Sequence, residues 1–193
     1  MMLSRRDIIA AGALLTGTRS PAFGASGTRL PATVPIDGPP EYIPGAPART
    51  SFLDSDTSGQ RIRLFGRALT TKGKPLDGAR LDFWHTNSAG VYDMNGFTFR
   101  GTQLTDRDGR FRLDTVMPGP YGGPRHVHFL LAKRVGIQPQ PLMLSAAIFF
   151  PTAEEFRKPF GAYSNSAEFL NPSRLRTAGG VLMAPCDIVL EVA

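Results

Sequence analysis

The sequence predicts an all-β fold: an antiparallel β-sandwich with long loops, entered through an extended N-terminal arm. Three observations predict it. Short alternating or continuously apolar runs recur along the chain, each of strand length. Gly 21 and Pro 17 among 193 residues supply the turns between them. Only residues 152–156 read as helix, and briefly. The length suits one domain, and 41% hydrophobic with 20% charged residues is ordinary globular composition. No internal repeat is visible.

Residues 1–25 read as an export signal. A paired arginine, Arg5-Arg6, precedes an apolar run over residues 8–15, too short to span a bilayer. Small residues then follow at Ala22, Gly24 and Ala25. Ser4-Arg5-Arg6-Asp7-Ile8-Ile9 resembles the twin-arginine consensus; an ordinary secretory signal is the other reading. Either places the protein outside the cytoplasm, in the periplasm or beyond, and the twin-arginine route favours a cofactor loaded before export. Removing this segment takes away three arginines and one aspartate, so the formal charge drops from +6 to +4. That bias is either an ordinary soluble surface or a mild attraction for aromatic acids. No basic cluster interleaved with aromatics points to nucleic acid.

Residues 26–60, rich in Pro, Gly and Ser, form the arm, and residues 61–193 the sandwich. Strands are expected at residues 61–68, with Ile62 and Leu64 on one face, and at 79–85 after the turn KGKPLDG. In the second, Leu81, Phe83 and His85 share one face and Asp82 and Trp84 the other. TDRDG, residues 105–109, has a spacing loosely like a calcium loop but lacks its remaining oxygen ligands, so it reads as a hairpin turn into RFRLDTV. Residues 126–132, 144–150 and 187–192 complete at least six strands. The single cysteine, Cys186, excludes an intrachain disulfide and reads as a core residue.

Two of the three histidines lie in PGPYGGPRHVHF, residues 118–129. On a strand, His126 and His128 project to the same face. Such a pair either presents two metal ligands or has one exposed and one buried structural member. Thiolate zinc is excluded by the lone cysteine. The polar candidates to complete a site are phenols: Tyr121 in the same stretch and Tyr92 in SAGVYDM. Each alone also reads as a half-buried tyrosine bonded to backbone. His85 either faces the pocket or is structural, and Trp84 reads as core.

EYIPGAP, GKPLDGARLDFWHTNSAGVYD, FRGTQLTDRDGRFRLDTVMPGPY, RHVHF, LSAAIFFP and CDIVL occur in that order over residues 39–193. Together they resemble the intradiol ring-cleavage dioxygenases, the family of protocatechuate 3,4-dioxygenase and catechol 1,2-dioxygenase. The resemblance implies that Tyr92, Tyr121, His126 and His128 ligate a non-haem Fe(III). It also implies that O2 is inserted into a catecholic ring to give a cis,cis-muconate-type product. In that scheme Tyr121 is the catalytic phenolate displaced by substrate. Fe(III), two phenolates and one hydroxide are neutral together, so no net charge is isolated in a low dielectric.

Two positions depart from the family pattern. Gly123 stands where many relatives have an arginine, with Arg125 a substitute catalytic candidate and Arg100 a possible helper. Ala147 stands where many have a glutamine near substrate. These departures carry the alternative, an exported β-sandwich that binds a metal or aromatic ligand without turnover. Residues selecting ring substituents are expected in loops, including the arm over residues 41–48. Oligomerisation through the arm is left open.

Overall fold

A computed structural model describes residues 29–36, 41–55, 57–121, 123–134, 140–157, 170 and 174–192. The export segment lies outside these residues. The strands are β1 (Arg61–Thr70), β2 (Arg80–Trp84), β3 (Arg100–Leu104), β4 (Arg110–Val116), β5 (Arg125–Lys133), β6 (Leu142–Phe150), β7 (Arg176–Ala178), β8 (Val181–Pro185) and β9 (Ile188–Leu190). One short helix, α1 (Ala153–Arg157), follows β6. Thr152 caps it: Glu155 N–H donates to Thr152 Oγ1, and Thr152 N–H donates to Glu155 Oε2. Among the described residues, no helix is long and apolar enough to cross a membrane.

The strands form two sheets, β4-β1-β8-β7 with β9 also on β1, and β3-β2-β5-β6. The second is antiparallel throughout. In the first, β1 pairs antiparallel with β4 but parallel with β8 and β9. Alternation decides the packing. Ile62 and Leu64 of β1 are fully buried against Leu81 and Phe83 of β2 and Val127, Phe129 and Leu131 of β5. Phe83 reaches across to Phe111 of β4 at 5.7 Å between ring centroids. This core fills the space between the two inner faces, as in any sandwich.

The same alternation turns His126, His128 and Trp84 to the outer face of the second sheet. His128 sits in register with Trp84 of β2 on one side and Ala147 of β6 on the other. Trp84 is 1% exposed, yet it lies on the opposite face from Phe83 and stacks on His128 at 5.3 Å. It walls the histidine face rather than filling the main core. Cys186 is buried in that core, as its apolar setting predicts.

Residues 47–52 of the arm run along the edges of both sheets. Residues 47–49 bond to Thr102 of β3, and 50–52 bond to Asp114 of β4. They thereby cover two strand edges that would otherwise offer unpaired backbone groups. The turn at residues 105–109 is built on Asp106, whose Oδ1 accepts from Asp108 N–H and Arg110 N–H. It joins β3 to β4, which belong to different sheets, so it is a corner between sheets and not a hairpin within one.

Candidate metal centre

Two connections, the β2–β3 and β4–β5 loops, meet at one end of the second sheet. β2 leaves it at Trp84, β3 enters it at Arg100 and β5 enters it at Arg125, all within a few residues of register. The β2–β3 loop carries Tyr92 and the β4–β5 loop carries Tyr121. Asn87 ties the two loops together. Its carbonyl accepts from Gly90 N–H at 3.1 Å and from Gly119 N–H at 2.8 Å. Gly90 and Gly119 touch backbone to backbone: a Cβ on Gly90 would lie 2.6 Å from Pro120 O, and one on Gly119 would overlap the Gly90 amide. This approach puts the Tyr92 and Tyr121 rings 5.1 Å apart, edge to face.

Arg100 fastens the Tyr92 loop from beneath. It is 1% exposed, and its Nε and Nη2 donate to Asp93 O at 3.1 and 3.0 Å. Its Nη1 donates to Glu41 O at 2.6 Å, and its guanidinium lies 5.8 Å from the Tyr92 ring centre. Asp93 folds the loop back toward β3 by accepting from the backbone N–H of Asn95, Gly96 and Thr98. Bonds to Thr98 and the neighbouring amides hold its carboxyl down at about 2.

The two imidazoles converge. His126 Nδ1–H donates to Pro124 O at 2.8 Å, which leaves the lone pair on Nε2. That atom faces His128 Nε2 at 3.1 Å. Two nitrogens each about 2.1 Å from one ion at a right angle would be about 3.0 Å apart. Burial keeps both rings neutral, lowering His126 and taking His128 down to about 3.

Glu41, from the arm, links the phenols to the imidazoles. Tyr121 Oη–H donates to Glu41 Oε1 at 3.2 Å. The carboxylate also acts electrostatically on Tyr92 and His126. Burial, with Glu41 and Tyr121 beside it, pushes the Tyr92 phenol well above its ordinary range. Tyr121 is 46% exposed and is raised chiefly by the Glu41 charge.

Among the described residues, three buried side-chain N or O atoms have no hydrogen-bond partner: Glu41 Oε2, Tyr92 Oη and His128 Nδ1. Tyr92 Oη and Glu41 Oε2 belong to this group, while His128 Nδ1 lies across the ring from the Nε2 that faces His126. Buried polar atoms in folded proteins are nearly always paired, so orphans gathered in one place mark a site built for something that binds. Two imidazole nitrogens and two phenol oxygens, with a carboxylate near, suit a hard, highly charged cation. Among the described residues, His, Cys, Asp and Glu alone form no group of three able to hold a metal.

Arg125 stands apart from this group. Its side chain is exposed and lines a shallow pocket with Pro120, Gly123, Pro124, Phe150, Thr152 and Glu155. Strand alternation turns it away from His126. His85 is structural. It is fully buried between Phe52 and Phe99, with Nδ1–H on Thr86 O at 2.6 Å and Nε2 accepting from Thr115 Oγ1 at 2.8 Å.

Burial lowers His85 to about 4. Between pH 6.5 and about 4, then, the unfolded chain binds a proton there that the folded chain refuses. Stability at this residue is complete above pH 6.5 and is lost as pH falls toward 4, by roughly 3 kcal/mol. Urea unfolding of metal-free protein at pH 7 and 4.5 is expected to show this loss, and a His85→Gln variant a shallower one. Parallel dependences would remove His85 as the cause.

A family model described as "Dioxygenase" matches residues 36–152, more than half of the chain. The chain belongs to the intradiol ring-cleavage dioxygenase family. The catechol 1,2-dioxygenase of Pseudomonas sp. (strain EST1001) is 37% identical over 98 residues, 46% of this chain and 32% of the relative. The protocatechuate 3,4-dioxygenase beta chain of Burkholderia cepacia is 36% identical over 102 residues, 43% of each. The matched part thus spans about a third to under a half of those relatives. Among solved structures, the dioxygenase domain of a dioxygenase carbohydrate-binding protein fusion from Streptomyces sp. SirexAA-E superposes with a TM-score of 0.68 at 34% identity. That match covers 84% of this chain and all of that one. The 3-chlorocatechol 1,2-dioxygenase of Rhodococcus opacus 1CP, at 24% identity and a TM-score of 0.61, shares the fold over 87% of this chain and 74% of that one. The intradiol sandwich in this chain therefore carries its tyrosines and histidines at one end of one sheet.

Arg100 and Glu41 are the site residues that sequence reasoning underused. Glu41 lies in the expected arm segment, but no periodicity ties the arm to the histidine strand. Arg100 is an isolated arginine in a polar stretch, and only its burial exposes its role.

Proposed function

We propose that the protein is an oxidoreductase, an Fe(III)-dependent intradiol dioxygenase that cleaves a catecholic ring with O2 to a cis,cis-muconate-type product. The observation that carries this is the pair of imidazole Nε2 atoms 3.1 Å apart, in a group that also leaves Tyr92 Oη and Glu41 Oε2 buried without a partner. Tyr92, Tyr121, His126 and His128 would hold the iron. Ferric iron, when bound, would supply the Lewis acidity that ionises a catechol and prepares its ring for O2.

The chain's own residues do the rest. His126 and His128 stay neutral because they are buried, so their lone pairs are available at neutral pH. Ionising a free tyrosine at pH 7 costs about 4 kcal/mol, and burial adds to this at Tyr92. Only a strong cation offsets that cost, which ties the Tyr92 phenolate to the loaded state. Tyr121 is the exposed member of the set and sits on a short loop. It is the phenol free to swing away, and its Oη can take up a proton that the arriving catechol releases. Trp84 and Phe149 wall the histidine face against water.

The test is O2 uptake and muconate absorbance with catechol, using iron-loaded protein. Oxygen consumption matched by product supports the reading. Catechol binding without uptake supports the ligand-binding alternative, which rests on Ala147 opposite His128 and on Gly123. Tyr121→Phe is expected to weaken iron binding and, per iron bound, to lower turnover at least about a hundredfold. Unchanged turnover would remove Tyr121 from this role. Export rests on residues 1–25, where a paired arginine, an apolar run and small residues follow in order; cell fractionation checks it, and cytoplasmic retention overturns it.

A further inference from the structure

Glu41 brings a carboxylate into the same space as the four proposed ligands. Its Oε1 accepts from Tyr121 Oη, and its Oε2 is buried with no partner. Its backbone is held at a φ of 54°, a left-handed conformation unusual for glutamate, and Arg100 bonds its carbonyl at 2.6 Å. The carboxylate is therefore anchored at the site and not a surface group that drifts in.

Arg100 offsets part of this charge, since its guanidinium and the Glu41 carboxylate act on each other electrostatically, but it offers an incoming ligand no free N–H. The Nε, Nη1 and Nη2 of Arg100 are all engaged by the carbonyls of Glu41 and Asp93, under the Tyr92 loop. Arg125 faces the pocket it shares with Glu155. A ring substituent lying toward Glu41 thus meets an acceptor and a negative charge, with no guanidinium offered for pairing.

We infer that Glu41 is a specificity-determining residue: it turns the site against catechols carrying a ring carboxylate and toward those with an uncharged or hydrogen-bond-donating substituent, hydroxyl or ammonium. The inference rests on the catechol-binding function proposed above and narrows its substrate class. It also runs against the mild overall basic bias, because at a few ångströms the local charge outweighs a diffuse one.

The test compares catechol, 3,4-dihydroxybenzoate and 4-(2-aminoethyl)catechol. Each is titrated anaerobically into iron-loaded protein, and its dissociation constant is read from the shift of the visible absorption. Wild type is expected to bind the carboxylate compound at least about tenfold more weakly than catechol, and the ammonium compound at least as tightly. Glu41→Gln is expected to bring the carboxylate-to-catechol ratio toward one. Equal affinities in wild type, or a ratio unchanged in Glu41→Gln, overturn the inference while leaving catechol binding intact. A spectrum unmoved by all three compounds overturns the proposed function, and this inference with it.

Discussion

His128→Ala is expected to abolish iron binding while leaving the sandwich folded. His128 Nε2 is one of two nitrogens aimed at a common point, and no other imidazole among the described residues can take its place, since both nitrogens of His85 are bonded elsewhere. Losing a ligand weakens a metal site by more than the ten- to hundredfold typical of its supporting residues, so a loss beyond about a hundredfold is expected. The fold survives because His128 lies on the outer face. Its strand neighbours Val127 and Phe129 keep the main core. The substitution also removes Nδ1, a buried atom with no partner, so the stability lost through the stack on Trp84 is partly offset. Iron per chain after exhaustive dialysis, measured beside far-ultraviolet circular dichroism, decides it. Wild-type iron content in a folded variant would exclude His128 as a ligand.

Gly119→Val is the second large effect, and it acts without touching a ligand. A side chain at residue 119 must overlap the Gly90 backbone, and Gly90 is itself at a φ of 83° with Pro120 O close by. The loops bearing Tyr92 and Tyr121 would be driven apart. Overpacking of this kind costs about 1–3 kcal/mol. A displacement near 1 Å at a metal site is expected to lower iron affinity at least about tenfold. Gly73→Ala is the control. It shares a positive φ, 75°, but a Cβ there has nothing within 4 Å. It is expected to lose about 1 kcal/mol and no iron affinity. Equal iron affinity in Gly119→Val and Gly73→Ala would mean that the glycine contact does not set the tyrosine spacing.

Much of the fold was legible because period-two alternation was strong where both faces mattered. Ile62 and Leu64, Leu81 and Phe83, and His126 and His128 all fall on the faces that alternation assigns them. β3 was harder to read: it is a polar run, Arg100-Gly101-Thr102-Gln103-Leu104, whose edge is covered by the arm. The strand expected at residues 187–192 is β9, but β8 precedes it in the same apolar run and was not read as a strand, and the two are separated at residues 186 and 187. Pro185 donates no amide, and Cys186 O comes so close to Gly66 that no Cβ would fit there. Asp187 then turns its Oδ1 to Arg67 N–H, and pairing with β1 resumes at Ile188. The break depends on contacts between residues about 120 apart, which no local pattern encodes. For the same reason the histidine pair was visible from its spacing, whereas the contacts of Glu41 and Arg100 emerge only when the arm closes over the Tyr92 loop.

The visible spectrum of the protein loaded with ferric iron tests the central claim most directly. One iron per chain should give a tyrosinate-to-iron charge-transfer band that shifts when catechol is added anaerobically. The band should be altered in Tyr121→Phe and lost when Tyr92 and Tyr121 are both replaced by phenylalanine. Protein that binds one ferric ion and stays colourless, or a band that survives the double replacement, would contradict the assignment of these two phenols to the metal.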